Sequence, residues 1–310
     1  MSSITKPRIE SIDLLKGLVM VIMALDHVRD YFHYSAFFYS PTDPVHSTLP
    51  IFFTRWITHF CAPTFSFLAG ISAYMVGKRK TQNELAGFLL KRGLWLIFIE
   101  ITVVNFAWYF DFQFRTFGLL VIWALGISML MLAALIYLPK VYILIFSLLL
   151  IFCHNLFDNI QISDNLLWSV LHEGLFYQST DGARHVMIGY PLIPWIAVMS
   201  LGYYFGTFYN TTFDTAKRKK IFNLIGVFAL LLFCVLRYTN FYGDPHPFKH
   251  YDTIAGNIIS FFNPNKYPPS LQYLLMTLGG TLLFLANAEN LKGRVVNFFC
   301  SFGRVPFFYY

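Results

Sequence analysis

Long hydrophobic runs separated by short polar connections dominate the chain. Nine can be drawn, at roughly 12–32, 51–76, 93–111, 118–138, 141–158, 187–209, 221–241, 270–288 and 295–310. A helix crossing the hydrocarbon core of a bilayer needs about 20 residues, and most of these runs approach that length. Several contain Gly or Pro, which a helix packed against other helices tolerates. The pattern predicts an all-α fold: a polytopic transmembrane helical bundle, forming a single domain over residues 1–310. The last run, closing on "SFGRVPFFYY", is short for a span and reads as truncated. The first run is followed by charge rather than by a small-residue cleavage site, so it is expected to stay as a helix and not to act as a signal peptide.

The connections alternate in charge. Lys6 and Arg8 precede the first run. Lys78, Arg79, Lys80, Lys91 and Arg92, then Lys140, then Lys217, Arg218, Lys219 and Lys220, then Lys292 and Arg294 fall at every second boundary. The positive-inside rule therefore puts the N-terminus in the cytoplasm and residues 33–50, 112–117, 159–186 and 242–269 outside. Those outer loops are the ones rich in His, Asp, Pro and Tyr.

Composition agrees with this. The chain is 56% hydrophobic and only 13% charged, against about 25% charged in a soluble domain. The net charge of +7 does not indicate nucleic-acid binding, because the basic residues sit in short clusters between spans and form no continuous face. Cys61, Cys153, Cys234 and Cys300 all lie in apolar runs without a C-x-x-C pair, so neither a zinc site nor a disulfide framework is expected. There is no phosphate-binding G-x-x-x-x-G-K-[ST] and no G-x-S-x-G elbow. A multi-pass protein of the cell membrane, plasma or inner, is the expected location.

Ionisable groups inside spans are costly and are the natural functional candidates. The first run ends in "MALDHVRDYFHY", which holds Asp26, His27, Arg29 and Asp30. Lys16 lies eleven residues, or about three turns, before His27, so the two share a helix face with Gly17, Met20, Met23 and Ala24 on or beside it. Asp26 or Asp30 can orient the imidazole, and Arg29 can pair with either acid. The competing reading is a plain interfacial charge cluster. In the second run Arg55 and His59 are spaced i,i+4, Pro63 breaks the backbone bonding one turn on, and Gly70 allows tight packing. His59 can then line a cavity or make an interhelical hydrogen bond. Glu100 and Asn105 are weaker candidates for substrate contact. In the outer loops His172, Glu173, Asp181, Arg184, His185, Asp244, His246, His250 and Asp252 suit contacts to a sugar or another polar substrate; no metal is expected, since prolines flank the His246–His250 pair. Lys266, beside Tyr267, Pro268 and Pro269, can meet an anion.

"RIESIDLLKGLVMVIMALDHVRDYF" resembles the opening of the heparan-alpha-glucosaminide N-acetyltransferase catalytic-domain family of multispan proteins, R-x-x-S-[IV]-D-x-[LF]-R-G-[IL]-x-[ML]. "APTFSFLAG" resembles its P-x-F-x-F-[ILM]-x-G, and "GYPLIPWIAVMSLGYYFG" and "FGRVPFFYY" resemble its later spans. The wider membrane acyltransferase superfamily carries a histidine eleven residues after the Arg of the Arg-Gly pair, the spacing that here joins Lys16 to His27. The resemblance implies acyl transfer across the membrane, from acyl-CoA (acetyl-CoA) in the cytoplasm to a glycan or amino-sugar acceptor outside. Carried over, His27 is the general base, with His59 second and His46 third. The chain departs from the pattern at Lys16, where the family has arginine. It also departs at His27, where the heparan enzymes have asparagine and place their histidine in the first outer loop. The partners expected are the lipid bilayer, acyl-CoA and the acceptor, with a homo-oligomer left open. A proton-coupled transporter and a non-enzymatic structural membrane protein are the alternatives.

Overall fold

A computed structural model describes residues 9–305 apart from 161, 163, 164 and 180–182. Lys6, Arg8, Asp181 and the end of the ninth run, 306–310, lie outside the described residues.

Each hydrophobic run holds helix. The first is α1 (Glu10–Phe32), with Glu10 and Asp13 in its first turn and Arg29 in its last, the charge order a helix dipole favours. The second is α2 (Leu49–Trp56), a 3-10 turn (Ile57–Phe60) and α3 (Cys61–Gly77). The third lies in α4 (Gln82–Ile99), a π turn (Glu100–Val104) and α5 (Asn105–Tyr109). The remainder are α6 (Val121–Leu135), α7 (Lys140–Cys153), α9 (Leu192–Phe205), α10 (Thr215–Thr239), α12 (Leu271–Asn287) and α13 (Arg294–Arg304). Two short helices, α8 (Leu166–Trp168) and α11 (Ile254–Phe261), lie in the polar connections. Among the described residues, three helical stretches are long and apolar enough to cross a membrane: Leu49–Gly77, Lys140–Phe157 and Thr215–Thr239; α6 and α12 are apolar but shorter.

The fold is mostly helical rather than all-α. Three strands, β1 (Thr116–Leu119), β2 (Leu175–Gln178) and β3 (His185–Ile188), form a sheet in the order β1-β3-β2. Thr116–Leu119 runs parallel to His185–Ile188, and Leu175–Gln178 antiparallel to it. Each strand has only four residues, and two overlap the edges of hydrophobic runs, so period-two alternation had no length in which to appear.

The helices meet backbone to backbone at glycines. A Cβ on Gly17 would lie 1.7 Å from the Phe299 carbonyl oxygen, and one on Gly303 1.8 Å from that of Asp13, so α1 and α13 can cross only here. Gly70 and Gly202 do the same for α3 and α9, each with a carbonyl oxygen 2.0 Å from the added Cβ. Gly93 with Gly126 and Gly226 with Gly279 join α4 to α6 and α10 to α12. These are the four most extensive helix pairings in the molecule. Small residues serve this purpose where lipid removes the hydrophobic drive for helices to associate.

The alternating connections collect at two ends. At the basic end Gln82 donates to the Ile136 carbonyl at 2.6 Å, Lys140 lies over the Tyr74 ring, and Arg218 pairs with Glu289 at 2.8 Å. At the other end the Tyr242 hydroxyl donates to the Phe152 carbonyl at 2.6 Å, and the Leu271 N–H to Asn155 at 2.8 Å. The sheet, the C-terminal end of α1 and α2 lie with these residues, and we refer to this as the sheet end.

Candidate functional site

The sheet end of α1 forms a charge cluster. Asp26 accepts from Arg29 Nη2 at 2.5 Å on one carboxylate oxygen and from Arg55 Nη1, on α2, on the other. Arg29 also reaches Asp30 at 2.7 Å. Lys266, from the connection before α12, lies within Coulombic reach of both Asp26 and His59. The structure thus brings together Asp26, Arg29, Asp30, Arg55, Lys266 and His59, which the sequence places across more than two hundred positions. His59 is buried, its ring faces Tyr273 at 5.5 Å, and Tyr273 donates its hydroxyl to the His59 carbonyl at 2.6 Å. Arg29 Nη1 and His59 Nδ1 are buried without a hydrogen-bond partner among the described residues.

Other candidates lie apart from this cluster. His27 points away from its neighbour Asp26, and its half-buried ring packs edge-on against Trp108 of α5 at 5.2 Å. The carboxylates of Asp26 and Asp30 are engaged by arginines rather than by this imidazole. Lys16 donates to Ser72 of α3 at 2.8 Å, so the stripe from Lys16 to His27 faces different helices at its two ends. His46 is exposed on the loop and pairs with Asp43 at 2.7 Å, which holds the Asp43 carboxyl below its usual pKa.

Glu100 and Asn105 are tied to the main chain. Asn105 donates to the carbonyls of Glu100 (2.6 Å) and Gly118 (2.9 Å) and accepts the Gly118 N–H at 2.6 Å. The Glu100 carboxylate accepts the Leu120 N–H at 2.9 Å, at the start of α6. A carboxylate there satisfies an orphan donor and faces the positive end of the helix dipole. The π turn between the two residues is what brings both side chains onto β1 and α6.

A cavity of about 840 Å³ opens at the same end. Asp158, His172, Glu173, His246, Asn265 and Tyr267 line it. His172 is buried, with Nε2 3.3 Å from Asp158, its ring 5.2 Å from that of Trp168, and Nδ1 without a partner among the described residues. Tyr267 forms the wall shared with the charge cluster: it lies within Coulombic reach of Arg55 and hydrogen-bonds Lys266 and Tyr190. The residue as a whole is 44% exposed, but its hydroxyl is desolvated among its neighbours, which raises its pKa; Lys266 and Arg55 outweigh this and hold the phenol below its ordinary value. The connection carrying it is stapled by Arg237 of α10, which donates to the carbonyls of His246 (2.7 Å), Ser260 (2.7 Å), Phe261 (3.1 Å) and Asn263 (3.1 Å). Asp244 adds to this by accepting from the Asn265 N–H and the Ser270 hydroxyl, both at 2.7 Å. The loop sequences revealed the polar residue types. The pairing of Asp158 with His172, and of Tyr267 with Arg55, had no signal in spacing, because each joins segments that only the fold places together.

The profile of the heparan-alpha-glucosaminide N-acetyltransferase catalytic domain matches residues 8–237. The chain belongs to this family. The matched region contains both α1 and α2, and so includes Asp26, His27, Arg29, Arg55 and His59. Lys266, Tyr267 and α12 lie beyond it. A comparison with individually curated proteins returns no match.

Proposed function

We propose that the chain is a membrane-embedded acyltransferase. It moves an acyl group, acetyl by the family's name, from cytoplasmic acyl-CoA to an amine or hydroxyl of an amino sugar or glycan on the outer side, at the sheet end. The protein is then a multi-pass component of the cell membrane with a cytoplasmic N-terminus. The family match over residues 8–237 carries this reading. A cavity of about 840 Å³ with polar groups set in a mostly apolar wall, beside the charge cluster at one end of the bundle, supports it.

The acceptor must lose a proton as its nitrogen or oxygen adds to the thioester carbonyl and CoA leaves as the thiolate. A neutral imidazole suits that task near pH 7. We assign it to His27, held edge-on by Trp108 and engaged by no hydrogen bond among the described residues. Asp26, Arg29 and Arg55 act on it by position: the clamp between α1 and α2 fixes the helix one residue away. His59 is the second candidate, with a free Nδ1 one helix over. The cavity wall of His172, Glu173 and Asn265 is the surface offered to the acceptor. Purified protein supplied with acetyl-CoA and a panel of amino sugars should release CoA. His27→Ala should abolish release while leaving the unfolding temperature unchanged. Equal rates for wild type and variant would overturn the role of His27, and no turnover with any acyl-CoA would overturn the enzyme reading.

A further inference from the structure

The cluster at the sheet end carries more positive charge than its own acids balance. Arg29, Arg55 and Lys266 converge from α1, α2 and the connection before α12 on a single half-buried carboxylate, Asp26. Among the described residues the other acid paired there is Asp30, whose side chain is 50% exposed. Three cations against two acids leave one positive charge. Among the described residues Lys266 makes no ion pair: its neighbours are the ring and hydroxyl of Tyr267. Arg29 is 6% exposed, yet its Nη1 has no partner.

Both features are expensive in a membrane protein. Lys266 is half-buried and Arg29 buried, so a charge without a counter-ion is costly there, and the unmade bond at Nη1 adds to the cost. Proteins keep such an arrangement where something else completes it. A planar guanidinium fork with one unfilled nitrogen, beside a lysine ammonium, matches a tetrahedral oxyanion: the fork supplies directional donors and the ammonium a point charge. A neutral ligand would leave the surplus charge in place, and a cation would add to it.

We infer that Arg29, Arg55 and Lys266 form a binding site for a phosphate-type oxyanion at the sheet end. Asp26 is the internal counter-ion that holds the two guanidiniums in register. Tyr267 stands between this site and the large cavity, so a molecule lying in the cavity can extend its anionic group to Lys266. The inference concerns binding and does not depend on acyl transfer. A free or sugar-borne phosphate and the phosphate of a lipid headgroup share this chemistry, and the test separates them.

Thermal unfolding of the purified protein in neutral detergent should be followed with inorganic phosphate, with glycerol phosphate and, after reconstitution, in phosphatidylglycerol against phosphatidylcholine-only vesicles, at matched ionic strength. A saturable rise in unfolding temperature with the soluble anions points to a free or sugar-borne source. A rise confined to phosphatidylglycerol points to the headgroup. In either case Lys266→Gln should weaken the binding about tenfold, the loss of one charge-assisted contact. Lys266→Arg should keep it, and so should Lys140→Gln at the basic end. No rise with any of these ligands, or a rise that Lys266→Gln leaves intact, overturns the inference. A second measurement needs no variant. Reductive methylation of wild-type protein, read by mass spectrometry, should be suppressed at Lys266 and not at Lys140 when the binding anion is present. Equal labelling with and without the anion overturns the site even if Lys266→Gln fails to fold.

Discussion

Two sets of polar residues sit inside hydrophobic runs, and the fold uses them differently. Glu100 and Asn105 turn to the main chain: the asparagine makes three hydrogen bonds to backbone groups and the glutamate caps the start of α6. Asp26, Arg29, Arg55 and Lys266 turn to each other, side chain to side chain, from three separate elements. The first set serves the main chain, because each bond replaces one that the backbone would otherwise lack, while Glu100 Oε2 is buried with no hydrogen-bond partner among the described residues. The second leaves a surplus charge and an unfilled donor. Polar groups in a membrane fold are therefore better sorted by what they bond to than by how deep they lie.

The largest effect should come from the chemistry at the sheet end. His27→Ala should lower acyl transfer by about 10²–10⁴-fold, the span of general-base contributions, with unfolding unchanged. A drop in stability instead would move His27 to the structural side of the comparison. Next, Asn105→Ala should destabilise the protein by about 2–5 kcal/mol, since it strips three buried bonds and leaves backbone groups unsatisfied. The activity of the fraction that folds should be preserved; loss of activity without loss of stability would break the distinction.

Smaller effects should appear where the cluster meets the cavity. The phenol of Tyr267 is held below its usual value near 10, so ultraviolet difference titration should show one early tyrosinate that Tyr267→Phe removes. Lys266→Gln should move that phase upward, because it takes away a positive charge. For an acid with a lowered folded pKa, the stabilising contribution is full above the unfolded pKa and fades as pH falls through the folded one. Unfolding profiles of wild type and Tyr267→Phe should accordingly diverge towards high pH. The smallest effect belongs to Asp43. Its carboxyl is also lowered, by His46, so the advantage of wild type over Asp43→Asn should be full above about 3.8 and disappear as pH falls below it. An advantage that instead grew on acidification would contradict the His46 pairing.

Much of the fold was legible because it depends on periodic, local properties. Runs of apolar residues have to be helices in lipid, where every backbone group must be bonded within its own segment. All nine runs contain helix, and the connections do sort to two ends, with the basic ones at one of them. Gly17 and Gly70 were also readable as points of close approach, and α13 and α9 fill them. The three strands were not, since each has only four residues and β1 finds its partner β3 more than sixty positions away.

The candidate site divides along the same line. By itself the sequence determined which chemical groups the membrane segments carry, their order along α1, and the charge asymmetry of the connections. It also placed Asp26, His27, Arg29 and Asp30 in the last two turns of one helix. Only the tertiary structure decided that neighbouring residues part company: Asp26 meets Arg55 while His27 meets Trp108. It also decided that Glu100 and Asn105 serve the backbone, and that Tyr267 separates a cavity from the charge cluster. Helical spacing fixes the angle at which a side chain leaves its own axis, but which helix stands at that angle is set by glycine crossings and long-range pairing.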